Sequence, residues 1–184
     1  DGNPLLLPAG ELRRPVPRPG RQANRGQCRR GAALTLAAHI SLGTYPIWKW
    51  GTDAQKARFL PDLCSGEKLG AFGLTEPDAG SDAGSLRTTA ELKGNEWVLN
   101  GTKQFITNIG LDNASIVLVA AMVGGPDQKE IISTFIVPKD APGFNLGKKY
   151  QKMAWHASAT HEVILADCRI PKDHLLGDPD RGFA

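Results

Sequence analysis

The sequence lacks long apolar runs and is poor in cysteine. Its longest apolar candidates, IVLVAAMV and IISTFIV, fall short of the roughly 18–20 residues that a membrane-spanning helix needs. Its cysteines are Cys28, Cys64 and Cys168, an odd number spaced far apart, which favours reduced thiols over a disulfide framework. The histidines lack metal-ligand spacing to one another or to cysteine. We therefore predict no membrane span, no disulfide scaffold and no metal site.

Acidic residues are scarce in one segment near the N-terminus. Residues 11–30 hold seven Arg and a single Glu, so the net charge of +3 arises there and the rest of the chain is net negative. That balance argues against a nucleic-acid-binding surface on the core. Residues 1–30 are also rich in Pro and Gly and have no apolar period, so we interpret them as a disordered or non-native segment. A basic arm for an acidic partner is the alternative.

Residues 31–67 carry helical signals. The stretch GAALTLAAHISLG predicts a helix that stops at Gly43. Thr52 and Gln55 have the spacing of a capping box, which predicts the start of a second helix. Pro61 is expected to end or kink that second helix.

From residue 68 onward the apolar period changes to two, which is typical of strands. Gly94–Asn95 and Asn100–Gly101 lie between alternating runs and predict hairpin turns. About seven or eight strands without an intervening helix predict an antiparallel barrel or sandwich over residues 68–184. The expected fold class is therefore α+β, with N-terminal helices followed by an all-β domain.

Polar residues at two strand ends form a candidate ligand site. LTEPDAGSD places two hydroxyls around a glycine turn, and QFIT repeats the pairing of apolar residues with a threonine. If the two strands are neighbours, they offer an apolar wall and hydrogen-bond donors to a flat polar ring, while the glycine turn can approach a phosphate. The alternative is purely structural, with ordinary strands and a Ser-Asp cap. The candidate residues are Phe72, Leu74, Thr75, Gly80, Ser81, Phe105, Ile106 and Thr107.

Three motifs, in order, resemble one known family. LGAFGLTEPDAGSDAGSLRTTAE, LNGTKQFITN and KMAWHASATHEVILADCRIPKDHLLG are similar to the acyl-CoA dehydrogenases, and the resemblance extends from about Ala33 to Ala184. It implies a fold of an N-terminal helical domain, a middle β-barrel and a C-terminal helical domain. Residues 31–67 resemble the end of the first domain, residues 68–184 resemble the middle domain, and the C-terminal domain is expected to be absent.

The resemblance also implies roles for the candidate residues. Phe72, Leu74 and Thr75 would line the flavin of FAD. Phe105 would cover the flavin, and Thr107 would reach toward its N5 atom. The family more often has Trp where this sequence has Phe105, so the apolar cover is kept while an indole donor is lost.

The resemblance places phosphate and substrate contacts in the glycine turn. Gly80 and Ser81 would lie where the FAD pyrophosphate and the pantetheine of acyl-CoA pass each other, with Ser81 contacting the substrate. The family's catalytic base is a Glu in the C-terminal domain, so this chain is expected to contain no catalytic residue and to be inactive alone. We expect Glu76 to anchor the turn.

The activity implied is FAD-dependent desaturation of acyl-CoA thioesters at C2–C3 in fatty acid β-oxidation. Electron-transfer flavoprotein would accept the electrons, and the full-length enzyme would be a homotetramer or homodimer in the bacterial cytoplasm or mitochondrial matrix. The alternatives are an acyl-CoA oxidase or flavin monooxygenase relative and a non-enzymatic β-domain that binds a ligand or partner. Residues 1–30 depart from the family, which suggests translation in a wrong reading frame.

Overall fold

The computed structural model of the chain describes residues 33–124 and 131–178. In these ranges two helical segments precede eight strands that form one sheet. No helix within them is both long and apolar enough to cross a membrane. The predicted non-native segment, residues 1–30, lies outside the described residues.

Helix α1 covers residues 33–50 and does not stop where the sequence predicts. Its middle, His39–Thr44, is a π-helix, and Tyr45–Trp50 continues as α-helix. The prediction that Gly43 ends the helix is wrong. Gly43 instead lets the helix approach the sheet, because a Cβ atom there would lie 2.6 Å from the carbonyl carbon of Gly70.

A buried histidine fixes helix α1 against its neighbours. The Nδ1 atom of His39 accepts a hydrogen bond of 3.0 Å from the N–H of Gly70. Its Nε2 atom therefore carries the proton and donates to the carbonyl of Leu63 at 2.9 Å. The imidazole thus joins α1 to both the second helix and the first strand.

Helix α2 covers Asp53–Ser65, and its predicted capping box is confirmed. Thr52 Oγ1 accepts from the N–H of Gln55 at 3.2 Å, while Gln55 Oε1 accepts from the N–H of Thr52 at 3.0 Å. The amide nitrogen of Gln55 also donates to the carbonyls of Asp173 and Leu175, at 2.6 and 2.8 Å. The same side chain therefore starts the helix and ties it to the last strand.

Pro61 does not end helix α2, which continues to Ser65. The proline lies on the exposed side of the helix, where water can satisfy the carbonyl that its missing N–H leaves free. The helix ends at Gly66 instead, which adopts the left-handed conformation with φ 75°. The prediction of an early end is therefore wrong.

The eight strands are β1 Leu69–Gly73, β2 Thr89–Lys93, β3 Glu96–Thr107, β4 Ala114–Val123, β5 Ile131–Pro138, β6 Phe144–Lys149, β7 Thr160–Pro171 and β8 Leu175–Leu176. Hydrogen-bonded neighbours in the sheet follow the order β6-β7-β3-β2-β4-β5-β8, with β1 also paired to β4. Pairing is antiparallel except between β1 and β4 and between β2 and β4, which are parallel. The predicted α+β class is confirmed, with a mostly antiparallel sheet.

Strand β4 is buried on both of its faces. Ile116 and Leu118 belong to an apolar cluster that includes residues of both helices. The alternate residues Val117, Val119 and Ala121 belong to the main core. A strand covered on both sides needs apolar residues at every position, which explains the unbroken run IVLVAAMV.

The sheet curves around the main core. The rings of Trp97 on β3 and Phe135 on β5 lie 5.1 Å apart in an edge-on arrangement. These two strands are separated in the sheet by β2 and β4, so their side chains meet only because the sheet bends over itself.

One of the two predicted turns is present. Gly94–Asn95 connects β2 to β3, with Gly94 at φ 65°. Asn100–Gly101 instead lies within β3, where the pairing with β7 shifts by a residue. Asn100 and Asp167 of β7 exchange two hydrogen bonds, of 3.1 Å to the Asp167 carboxylate and 2.7 Å from its N–H. The cross-strand contact makes a β-bulge of the predicted turn.

Strands β1 and β2 both pair with β4. Gly73 at the end of β1 lies opposite Val119, and Thr89 at the start of β2 lies opposite Met122. The segment 74–88, which contains LTEPDAGSD, therefore leaves and returns to the sheet at nearby points of one strand.

Candidate functional site

The two segments of the candidate site lie side by side. The carbonyl of Thr75, just beyond β1, accepts a hydrogen bond of 2.8 Å from the N–H of Gln104 on β3. Two residues earlier, a Cβ atom at Gly73 would lie 3.3 Å from Cγ of Lys103. The end of β1 and the C-terminal part of β3 are therefore neighbours, which is the condition that a site shared by the two segments requires, although β1 itself pairs with β4.

Glu76 organises the turn that follows β1. Its N–H donates to the carbonyl of Ala79 at 2.9 Å, and its carbonyl accepts from the N–H of Ala79 at 3.3 Å. Its carboxylate accepts from the N–H groups of Arg87 and Thr88, at 2.6 and 3.0 Å. The side chain is buried, so the predicted anchoring role of Glu76 agrees with its contacts.

Lys103 is the partner of Glu76 and is fully buried. Its Nζ atom lies 2.6 Å from Glu76 Oε1 and donates to the carbonyl of Leu74 at 3.1 Å. Sequence reasoning missed this residue. The available signal was a lysine at the start of the strand segment KQFIT, together with Glu76 in the other candidate segment, LTEPDAGSD.

The charges of this pair follow from its surroundings. Burial tends to raise the pKa of Glu76, but the hydrogen bonds from Lys103, Thr88 and Arg87 outweigh burial and hold that pKa below 4.5. Burial lowers the pKa of Lys103 below its ordinary value, and the nearby Glu76 carboxylate opposes that shift. The pair is therefore an ionised Glu76 carboxylate that accepts hydrogen bonds from the Lys103 ammonium group and from two backbone N–H groups.

Phe105 is turned to the surface by a second bulge in β3. The pairing with β7 shifts between Lys103 and Ile106, and Phe105 adopts a positive φ of 61°. Its side chain is 57% exposed, and its ring lies 4.8 Å from the ring of Tyr150. Ile106, by contrast, lies in the main core. The bulge thus places an aromatic ring on the surface where regular alternation would bury it.

The remaining candidates divide between surface and core. Gly80 and Ser81 are exposed, and no atom lies within 4 Å of a Cβ atom built on Gly80. Leu74 packs against a small cluster beside the turn. Phe72 packs in the apolar cluster between the helices and the sheet. Thr107 is half-buried and pairs with Thr160 of β7 in the sheet.

Across the described ranges, no group of three or more His, Cys, Asp or Glu side chains is arranged to hold a metal ion. The buried Cys168 is equally unsuited to chemistry, because burial raises the pKa of its thiol to about 11. The polar groups at the candidate site include hydroxyls, backbone amides, the buried ion pair and the exposed charged side chains of Asp78 and Arg87, which lie 3.3 Å apart.

Two family models match the chain. Residues 71–168 match the acyl-CoA dehydrogenase middle domain, which by itself covers more than half of the sequence, and residues 23–67 match the acyl-CoA dehydrogenase N-terminal domain. The chain belongs to the acyl-CoA dehydrogenase family. The resemblance carried by the three sequence motifs is confirmed.

Relatives in the acyl-CoA dehydrogenase family are similar over most of this chain. It is 48% identical over 151 residues to the probable acyl-CoA dehydrogenase YngJ of Bacillus subtilis (strain 168), which covers 82% of this chain and 39% of that protein. The solved butyryl-CoA dehydrogenase from Megasphaera elsdenii is similar with a TM-score of 0.78 and 45% identity, over 83% of this chain and 40% of that chain.

A further solved structure is described as an acyl-CoA dehydrogenase complexed with FAD, from Bacillus anthracis. It is similar with a TM-score of 0.77 and 43% identity, over 83% of this chain and 25% of that chain. The present member of the family spans about two fifths of the length of the curated relatives it matches.

In this acyl-CoA dehydrogenase family member, the structure brings together only part of the predicted residue set. The residues beside the joined strand ends and on the exposed turn are Leu74, Thr75, Gly80, Ser81, Phe105 and Thr107. Ile106 instead packs in the main core, and Phe72 packs in the separate apolar cluster between the helices and the sheet. Ile106 is 2% exposed, so it offers almost no surface to a ligand.

Proposed function

We propose that this chain forms the flavin- and thioester-binding part of an FAD-dependent oxidoreductase that desaturates acyl-CoA thioesters between C2 and C3. The observation that carries the proposal is the exposed ring of Phe105, held on a bulge next to the hydroxyl-bearing turn that begins at Thr75. An exposed aromatic wall beside hydrogen-bond donors suits a flat ring with a polar edge.

The available residues fit FAD as follows. Thr75 would bond the polar edge of the flavin, since its backbone is fixed by the hydrogen bond from Gln104. Phe105 would cover the ring system, with Tyr150 packed against it. The open space at Gly80 would let backbone amides approach the pyrophosphate, and Ser81 would donate to it or to the thioester substrate.

The chemistry that bound FAD would supply is hydride acceptance from C3, and a protein carboxylate would have to take the proton from C2. The protein groups must exclude water from the flavin and hold the thioester in line with it. Glu76 is not that carboxylate, because it is buried and already bonded to Lys103 and to two backbone N–H groups. We assign the base to a part of the family's fold outside the matched residues 23–67 and 71–168, and we propose that this chain is inactive by itself.

The finer assignments rest on family membership. We propose electron-transfer flavoprotein as the electron acceptor, a homodimer or homotetramer as the assembly, and fatty acid β-oxidation in the bacterial cytoplasm or mitochondrial matrix as the setting.

The test uses the product of the complete gene. We expect a yellow protein whose visible flavin absorbance is bleached anaerobically by acyl-CoAs, with the chain-length series giving the preferred substrate. Thr75→Val should weaken FAD binding, and Thr89→Val on the exposed side of β2 is the matched control. A colourless protein that acyl-CoAs do not bleach would refute the proposal. Acyl-CoA-dependent oxygen consumption would point instead to the oxidase relatives.

A further inference from the structure

A buried ion pair lies directly beneath the proposed flavin-binding turn. Lys103 and Glu76 approach to 2.6 Å, and their side chains are 0% and 4% exposed. Burying two charges is costly, because each ion loses its hydration before their mutual attraction is counted. Apolar side chains of similar volume often stabilise a fold as well or better. The pair is therefore poorly explained by stability alone.

The contacts of the pair join three separate parts of the chain. Lys103 belongs to β3 and donates to the carbonyl of Leu74 at the end of β1. The Glu76 carboxylate accepts hydrogen bonds from the N–H groups of Arg87 and Thr88, which precede β2. Glu76, just before the loop 77–86, is thus bonded to the two residues just after it.

The same pair fixes the groups proposed to touch the cofactor. Thr75 lies between Leu74 and Glu76, whose carbonyl and carboxylate are both held by Lys103. Gly80 follows Ala79, which exchanges two backbone hydrogen bonds with Glu76. The bulge that exposes Phe105 begins at Lys103 itself.

We propose that Lys103 and Glu76 are positioning residues for the flavin and thioester site, an inference that rests on the proposed function. They do not touch the reacting atoms. Lys103 fixes the position of the end of β1 relative to the start of the β3 bulge. Glu76 fixes the conformation of the loop by bonding the residues that precede β2. Together they hold the hydroxyl of Thr75, the open backbone at Gly80 and the ring of Phe105 in one arrangement.

The experiment measures FAD affinity in the product of the complete gene, with circular dichroism confirming that each variant is folded at the temperature used. The variants are Glu76→Gln, Lys103→Met and the double variant. The double variant removes both charges together, so it leaves no unpaired buried charge and remains testable where a single variant fails to fold. The matched control is Glu96→Gln, which removes a carboxylate from the exposed pair with Arg169.

Displacing the turn should weaken FAD binding by roughly tenfold or more in the folded variants and change the visible circular dichroism of the bound flavin. Glu96→Gln should leave both unchanged. A folded double variant with unchanged FAD affinity and flavin spectrum would overturn the positioning role, whatever its melting temperature, and would leave the proposed function intact. An unsubstituted protein that binds no FAD would overturn the proposed function itself.

Discussion

Replacing Gly43 by Ala tests whether packing or helix propensity decides the stability of helix α1. Propensity alone favours Ala over Gly in a helix by about 1 kcal/mol. The structure predicts the opposite sign. A Cβ atom at Gly43 would lie 2.6 Å from the carbonyl carbon and 2.8 Å from both Cα and O of Gly70. Carbon atoms in good contact are about 3.5–4.0 Å apart, so the helix would have to retreat by roughly 1 Å.

All three atoms in the way belong to the backbone, so no side chain can rotate aside to relieve the overlap. The retreat would also stretch the hydrogen bond from the N–H of Gly70 to His39. Overpacking of this kind costs about 1–3 kcal/mol. Because the overlap is with backbone, we expect a cost of about 2–3 kcal/mol, and the propensity gain of about 1 kcal/mol reduces it to a net loss of about 1–2 kcal/mol. For a chain of this length, Gly43→Ala should therefore lower the melting temperature by roughly 2–8 °C.

The assay is thermal unfolding and urea unfolding, both followed by circular dichroism, with Gly80→Ala as the matched control. That substitution places the same methyl group where no atom lies within 4 Å, so the free energy of unfolding should change by no more than about 0.5 kcal/mol. If Gly43→Ala proved as stable as the unsubstituted protein or more so, the close approach of α1 to β1 would be wrong.

Three further predictions concern Glu76, the thiols and Gln55. The pKa of Glu76 lies below 4.5, so its contribution to stability is present above about pH 4.5 and is lost as the pH falls through the folded-state pKa. In Glu76→Gln the free energy of unfolding should therefore fall less steeply with decreasing pH, and identical pH profiles of the two proteins would contradict this. Burial raises the pKa of Cys168 to about 11, so at about pH 8 a thiol reagent should label Cys64 but not Cys168 in a Cys28→Ser variant; native labelling of both would oppose it. Gln55→Ala should reduce the free energy of unfolding by roughly 1–3 kcal/mol in urea titrations, because it leaves backbone groups of two elements unpaired, and a neutral result would argue against that link.

Local sequence signals predicted helix starts and turns correctly where these depend on contacts between residues close in the sequence. The Thr52 and Gln55 spacing predicted the start of α2, and Gly94–Asn95 predicted a turn, because both depend on contacts within a few residues. The predictions of a helix end at Gly43 and a turn at Asn100–Gly101 were wrong because both depend on distant contacts. Each residue is used by a partner far along the chain, Gly70 in one case and Asp167 in the other, and no local pattern reports such a partner.

The sequence suggested which segments meet but not how their side chains are turned. The repeated pairing of apolar residues with threonine suggested that the segments holding Thr75 and Phe105 are neighbours, and the hydrogen bond from Gln104 to Thr75 agrees with this. Strict alternation cannot tell that a bulge exposes Phe105 and buries Ile106, because a one-residue shift reverses the face of every following side chain. The burial of Lys103 was not predicted because lysine in a strand is usually exposed, and its burial depends on two distant partners, the Glu76 carboxylate and the Leu74 carbonyl.

The parallel pairing of both β1 and β2 with β4 has a consequence for how this fold can diversify. The ends of the segment 74–88 are fixed opposite Val119 and Met122, which lie about 10 Å apart at about 3.3 Å per residue. Lengthening a loop between fixed ends costs little entropy, about 0.6 kcal/mol for each doubling. Insertions at the exposed residues 80–82 can thus arise without disturbing the register of the sheet, while the Glu76–Lys103 pair keeps the ends of the segment in place, so ligand preference can evolve with little change to the scaffold.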